Sequence, residues 1–334
     1  MNAAATLGDK RSVRKTLFFV GTWGLSFVCL AWVLHDIDFT SLLDNVEHMH
    51  WGWVAVAMIA DVLVYCFQGW RWSLVLKPLG RIPVWQAIRA IYVGLFANEV
   101  LPFRTGEIIR CYLLGRWTDL PFSVTLSSAL IERIFDGVWL VSCLLVAVRI
   151  VPLPRYLMEG GTTLAVFILC GAALLGAAMF WKESTHAALS SNRFLRKVAI
   201  LIEDLHIIGH SRYLYMAAVA SLPYLLLQVI PIWALAQAYD IDLTLTDAFI
   251  VMVLLRFSAV VPQAPGNLGL FQAAAVLALK AIGVEESISK EFAVVLWAVI
   301  TLPLLGVGFL ALAVTGLRIN ELHHEAHSSL KPVP

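Results

Sequence analysis

The chain has 334 residues, of which 60% are hydrophobic and only 14% charged, with a net charge of +1 and a mean hydropathy of +0.81. A soluble domain carries roughly 25% charge, so this composition excludes an ordinary soluble fold and marks a polytopic helical membrane protein; near-neutrality gives no bulk attraction to nucleic acid. Cys29, Cys66, Cys111, Cys143 and Cys170 show no CxxC spacing and read as small core residues rather than a disulfide framework or a metal site.

Lys10, Arg11, Arg14 and Lys15 precede an apolar run at 17–34. The run is longer than a signal-peptide core and has no small-x-small exit, so a retained first span is expected. The loop after it holds Asp36, Asp38, Asp44 and Glu47 but no Lys or Arg. A second span at 51–72 contains Asp61 and Gln68, seven apart and therefore on one face. They read first as hydrogen-bonding groups between helices and second as substrate ligands. Arg71, Lys77, Arg81 and Arg89 follow as a basic segment.

Residues 91–97 are apolar but too short to span, which takes roughly 20 residues. The stretch 98–110 then packs Asn98, Glu99, Pro102, Arg104, Gly106, Glu107 and Arg110 together. This predicts a half-helix that enters the bilayer, breaks at Pro102 and Gly106, and leaves. Broken backbone at membrane depth is tolerated only where protein or trapped water satisfies it, so the stretch is a candidate wall of a polar cavity.

A third span at 122–148 carries Glu132, Arg133 and Asp136, which fall roughly 13–20 Å along the helix, near the middle of a ~30 Å core. Glu132 and Asp136 share a face, and Arg133 and Asp136 are spaced to pair. An ionised group at that depth costs at least ~2.5 kcal/mol, so these groups face protein or water. Either they line a path for a charged headgroup, or they form a structural ion pair that locks the helix to Arg104 or Arg110. A fourth span is expected at 162–181 after the turn Pro152-Leu153-Pro154-Arg155.

A basic segment with Lys182, Arg193, Arg196, Lys197 and Arg212 follows. Within it Phe194, Leu195, Val198, Leu201, Ile202 and Leu205 recur at helical spacing, predicting an amphipathic interfacial helix at about 192–209. A fifth span is expected at 213–238, then an acidic loop with Asp240, Asp242 and Asp247. The second broken stretch, 248–272, contains Arg256, Pro262, Gln263, Pro265, Gly266, Asn267, Gly269 and Gln272. Proline removes a donor and glycine admits positive φ, so no helix continues through it. Arg256 reads as an anion ligand or as a partner for Glu132 or Asp136. A sixth span at 292–317 precedes a polar tail at 321–334, whose His323, His324 and His327 read as loose residues rather than a metal site.

The Lys/Arg bias places the N-terminus, 71–89 and 182–212 in the cytoplasm and the acidic loops 35–50 and 239–247 outside, with Arg149 and Arg155 discordant. Both termini are then cytoplasmic, in a bacterial-type plasma membrane. The two breaks enter from opposite sides, each between two spans. The expected fold is all-α: about six spanning helices plus two re-entrant broken hairpins in an inverted repeat, with halves at 51–150 and 213–317 of a single domain at 1–320. Paired Gly/Pro-interrupted segments in corresponding halves point to a midplane binding site.

The candidate substrate ligands are Asn98, Arg104, Glu107, Arg110, Glu132, Arg133 and Asp136 from the first half, with Arg256, Gln263, Asn267 and Gln272 from the second. The arginines would contact an anion, while Glu107, Glu132 and Asp136 would act as counter-charges or proton carriers. Pro102, Gly106, Pro262, Pro265, Gly266 and Gly269 would shape the breaks. No GxSxG, P-loop or HExxH occurs, so no enzymatic activity, cofactor or metal is expected. An intramembrane transferase using Glu107 and Glu132 as acid and base stays open as an alternative, as does a non-transporting scaffold for a separate lipid- or glycolipid-modifying enzyme.

Three ordered motifs carry a resemblance: Asn98 with Leu101-Pro102-x-Arg104-x-Gly106-Glu107-x-x-Arg110; Glu132-Arg133-x-x-Asp136; and Pro262-x-x-Pro265-Gly266-x-x-Gly269. Together they resemble the lysylphosphatidylglycerol synthase transmembrane-domain family over about 10–320. This flippase-like membrane domain is found fused to a lipid aminoacyl transferase, or alone in YbhN-like and hopanoid-associated proteins. The resemblance implies movement of a polar-headed, anionic or phosphate-bearing lipid between leaflets. Its partners would be that membrane lipid, of unassigned headgroup, and under the scaffold alternative a lipid-modifying enzyme. Gln272 stands where the family often has Glu, and the Gln-Ala-Pro-Gly-Asn wording is similar to the hopanoid-associated branch. With no aminoacyl-transferase domain before Pro334, synthesis of lysylphosphatidylglycerol is not expected.

Overall fold

The computed structural model describes residues 21, 23–35, 37–101, 105–151, 155–180, 211–261 and 264–315. Among them every regular element is a helix. Pro102, Arg104, Pro262 and Gln263, the interfacial helix expected at 192–209 and the tail at 321–334 lie outside the described residues.

The chain begins with α1 (Trp23–Leu34), which bends by 77° into α2 (Phe39–His48). The Asp38 carboxylate accepts from the Thr40 N–H at 2.9 Å and caps α2. Next come α3 (Trp51–Leu76), α4 (Val84–Val100), α5 (Gly106–Thr118) and α6 (Phe122–Ile150). A further helix, α7 (Arg155–Phe180), starts seven residues before the expected 162. The second half contains α8 (Arg212–Leu227), α9 (Val229–Ala238), α10 (Leu245–Ser258), α11 (Leu270–Ala281) and α12 (Glu286–Ala313).

Among the described residues, three helical stretches are long and apolar enough to cross a membrane: Trp51–Leu79, Arg212–Ala238 and Glu286–Ala313. The bent pair α1–α2 makes a fourth if counted as one span. The α6 helix has the length, 29 residues, but carries Glu132, Arg133, Asp136 and Arg149. Outward-facing apolar side chains such as Phe27 (74% exposed), Leu174 (74%) and Val219 (67%) give the bundle a surface suited to hydrocarbon rather than water.

Contacts at the helix ends fix how the two halves run. The His50 N–H donates to the Ala238 carbonyl at 3.0 Å, and the Lys77 ammonium sits 4.7 Å from the centre of the Tyr213 ring. So α3 and the α8–α9 pair are antiparallel, with 50 and 238 at one end and 77 and 213 at the other. The α4–α5 pair springs from the 77 end. The α10–α11 pair springs from the 238 end and returns to it, where Tyr239 meets Phe292 at 5.8 Å. From there α12 runs the length of the bundle, and the Arg89 Nε–H reaches the Ala311 carbonyl at 3.4 Å.

The α4–α5 pair is a tight antiparallel hairpin. Gly94 lies against Gly106 and Arg110, and the Asn98 side-chain oxygen accepts from the Gly106 N–H at 2.8 Å. A Cβ on Gly106 would stand 1.8 Å from the Gly94 carbonyl oxygen. Gly106 was expected as a helix breaker; it opens α5 at ordinary φ, and its missing Cβ is what lets the two backbones touch. In the second break the expected positive φ is found, at Gly266 (75°) and Gly269 (87°). The Ser26 hydroxyl accepts from the Ala264 N–H at 3.1 Å, which ties α1 to that break.

Candidate functional site

Arg71 is the centre of the buried charge. Sequence reading placed it in a basic loop, but α3 continues to Leu76 and holds Arg71 with a fully buried side chain. Its guanidinium donates to Glu132 at 3.1 Å, to both oxygens of Asp136, and to the Ser221 hydroxyl at 2.7 Å. The other Glu132 oxygen accepts from Arg110 at 2.9 Å. Arg110 in turn donates to Glu107 at 2.8 Å, and the second Glu107 oxygen accepts from Arg133. The result is an alternating chain, Arg71–Glu132–Arg110–Glu107–Arg133, with Asp136 attached at Arg71. Three guanidiniums balance three carboxylates, so the network is neutral, as burial demands.

The geometry also sorts the expected ion pairs. Glu132 meets Arg110, one of the two partners expected for a structural lock. Arg133 and Asp136 do not pair with each other; they turn to Glu107 and Arg71. Trp72 supports the network by donating its indole N–H to Ser128 at 2.8 Å while the Arg110 guanidinium lies over its ring at 4.6 Å.

Beside this network lies a partly open cavity of about 160 Å³, with walls from α3–α6, α8–α12 and the second break. A water needs about 10–15 Å³ on such a measure, so there is room for several waters or a small polar headgroup. The cavity brings together Asn98, Glu107, Arg110, Arg133, Arg256 and Asn267 of the candidate ligands. Glu132 and Asp136 stand behind the wall, engaged by Arg71. Gln272 is also absent from the lining: its side-chain oxygen accepts from the Gly269 N–H at 2.7 Å and caps α11.

Arg256 has no carboxylate partner among the described residues, neither Glu132 nor Asp136. It stands 6.0 Å from the centre of the Tyr224 ring, whose centre is also 4.5 Å from Arg71. One aromatic ring therefore separates the fixed network from the cavity's own cation.

The two breaks touch at the cavity. The Asn267 amide donates to Glu99 at 3.0 Å, and the Trp297 indole N–H donates to the Gly266 carbonyl at 2.7 Å. Glu99, Tyr65, Tyr224 and Trp297 are wall residues that sequence reasoning did not select. Aromatic residues in apolar helices carry no signal of their own, and Glu99 was seen only as part of a polar run. Asp61 and Gln68 read first as linking helices and second as substrate ligands. Both line the cavity, and one side-chain oxygen of each, Asp61 Oδ2 and Gln68 Oε1, is buried without a hydrogen-bond partner among the described residues.

Comparison with known proteins points to the same class, a membrane protein. A UPF0104 membrane protein of Methanothermobacter thermautotrophicus is 22% identical over 271 residues, covering 73% of this chain and 78% of the relative. A UPF0104 membrane protein of Methanocaldococcus jannaschii is 25% identical over 115 residues, 34% of each chain. The glycosyltransferase AglD of Haloferax volcanii is 26% identical over 113 residues, 34% of this chain and 18% of the relative. No solved structure gives a significant match. The family model described as the lysylphosphatidylglycerol synthase TM region matches residues 19–308, and the chain is a membrane protein belonging to that family.

Proposed function

We propose that this protein moves a polar-headed lipid between the two leaflets of its membrane, the headgroup crossing through the cavity while the acyl chains stay in hydrocarbon. The observation that supports this most is the position of the cavity. It lies where two interrupted helix pairs from opposite ends of the bundle touch, through Glu99 and Asn267. Interrupted helices meeting at mid-depth are the usual setting of a transporter's binding site. In this reading the pairs α4–α5 and α10–α11 are re-entrant hairpins.

Arg256 is the anion contact in this reading. It faces the cavity and is not consumed by a carboxylate, whereas Arg71 and Arg110 are held in the network. Its planar fork suits a phosphate. The test uses purified protein in vesicles containing a fluorescent-headed phospholipid, with an impermeant quencher added outside. Wild type is expected to expose the inner-leaflet pool, and Arg256→Gln to lose this activity while keeping wild-type thermal stability. Wild-type vesicles that keep their inner pool protected would overturn the reading. Full activity in Arg256→Gln would overturn the role of Arg256.

One finding favours a second reading. A relative sharing about a third of this chain is named a glycosyltransferase, which suits a membrane scaffold for a lipid- or glycolipid-modifying enzyme, or an intramembrane transferase. Incubating the purified chain with labelled lipid distinguishes them: a new covalent product supports a transferase, and co-purification of a modifying enzyme without lipid movement supports a scaffold.

A further inference from the structure

The α3 wall of the cavity presents side-chain acceptors. Asp61, Tyr65 and Gln68 share one helix face and all line the cavity. Asp61 and Gln68 are each 5% exposed. They are about 10 Å apart along the axis at 1.5 Å per residue. The unpartnered atoms, Asp61 Oδ2 and Gln68 Oε1, are both acceptors. A buried acceptor without a donor is strongly disfavoured, and native interiors nearly always satisfy it with protein, water or ligand. Two such atoms on one face of one cavity call for an occupant that brings hydrogens. Among the described residues the cations near the cavity do not supply them: Arg110 and Arg133 are turned to carboxylates, and Arg256 makes no ion pair with Asp61.

Resting on the reading of this cavity as a headgroup site, we infer that Asp61 and Gln68 form a donor-selective subsite. The transported headgroup carries an O–H or N–H hydrogen beyond its phosphate. The phosphate takes the Arg256 side of the cavity, and the hydroxyl or amine takes the α3 side. A headgroup that ends in a methyl ester of the phosphate, or in a quaternary ammonium with no N–H, brings no hydrogen to either acceptor. The discrimination therefore follows hydrogen-bond donors and not net charge. A hydroxyl headgroup and a primary-amine headgroup offer the same chemistry here, and the lipid panel separates them.

The test reads binding rather than transport, so it is independent of lipid movement. Full-length protein in detergent is titrated, by native mass spectrometry, with four lipids of identical acyl chains: phosphatidylglycerol, phosphatidylethanolamine, phosphatidylcholine and phosphatidylmethanol. At least one of the first two is expected to bind about tenfold tighter than both of the last two, the ratio for one hydrogen bond to a buried acceptor. A preference shared by phosphatidylglycerol and phosphatidylethanolamine means that any donor serves; a preference for one names the hydroxyl or the amine. Gln68→Leu and Asp61→Asn, each checked by thermal unfolding, are expected to reduce the preference at least threefold. Equal binding of all four lipids by wild type overturns the inference, as does a preference that survives in both folded variants. If the preference holds but vesicles show no lipid movement, the subsite stands and the transport reading falls.

Discussion

A guanidinium buried between two carboxylates is held by them as much as it holds them. Replacing Arg71 with Ala would leave Glu132 with Arg110 alone and Asp136 with no guanidinium, inside a packed helix interface. Breaking a buried pair by removing one partner costs about 3–5 kcal/mol. Arg71→Ala is therefore expected to lower the thermal unfolding temperature in detergent sharply. Arg71→Lys, which supplies one point charge in place of a fork, should fall between it and wild type. Glu132, Arg133 and Asp136 were conspicuous in the sequence as ions within an apolar run, but Arg71, the partner that Glu132 and Asp136 share, was not. Arg71 stands near Lys77 and Arg81 and resembles a loop cation until the end of α3 is known to lie beyond it. Asp61 and Gln68 were legible as one face of a helix. Whether that face meets another helix or a cavity is decided by packing, which no local pattern encodes.

Among the elements, the α4–α5 hairpin is the one whose sequence is least replaceable. Gly106→Ala would push a methyl group to within 1.8 Å of the Gly94 carbonyl, so the helices must separate. The expected loss is about 3 kcal/mol or more, at the upper end for overpacking. Gly171→Ala in α7 is the control, since nothing lies within 4 Å of a Cβ there. It should be neutral or gain up to about 1 kcal/mol from helix propensity. Parallel melting curves for the two variants measure the difference. The breaks themselves were readable because proline and glycine act locally. The role of Gly106 was not, because a close approach between backbones depends on which helix arrives opposite.

For the whole molecule, the two hairpins spring from opposite ends of the bundle. Arg81 and Asp242 are exposed on the links that lead into them. In a chain whose native cysteines are replaced, Arg81→Cys and Asp242→Cys should react with a membrane-impermeant maleimide from opposite faces, Arg81→Cys from the cytoplasmic one. Labelling of both from the same face would remove the inverted arrangement. Composition alone established a helical membrane protein, and charge bias proposed its orientation. The number of crossings was harder to read. Apolar length marks α3, α8–α9 and α12 but not α6, where Glu132, Arg133 and Asp136 are paired with charges on neighbouring helices rather than absent.

The alternating network also has an arithmetic consequence. Every bead in it is matched, so subtracting one strands its neighbour, while subtracting an adjacent couple preserves parity. Arg133 and Glu107 form the terminal couple, and Arg133 is the half-exposed one, at 51%. The double substitution Glu107→Gln with Arg133→Gln is therefore expected to unfold at a higher temperature than Glu107→Gln alone, although it erases twice as many ions. Evolutionary drift along this string of charges should proceed in even steps.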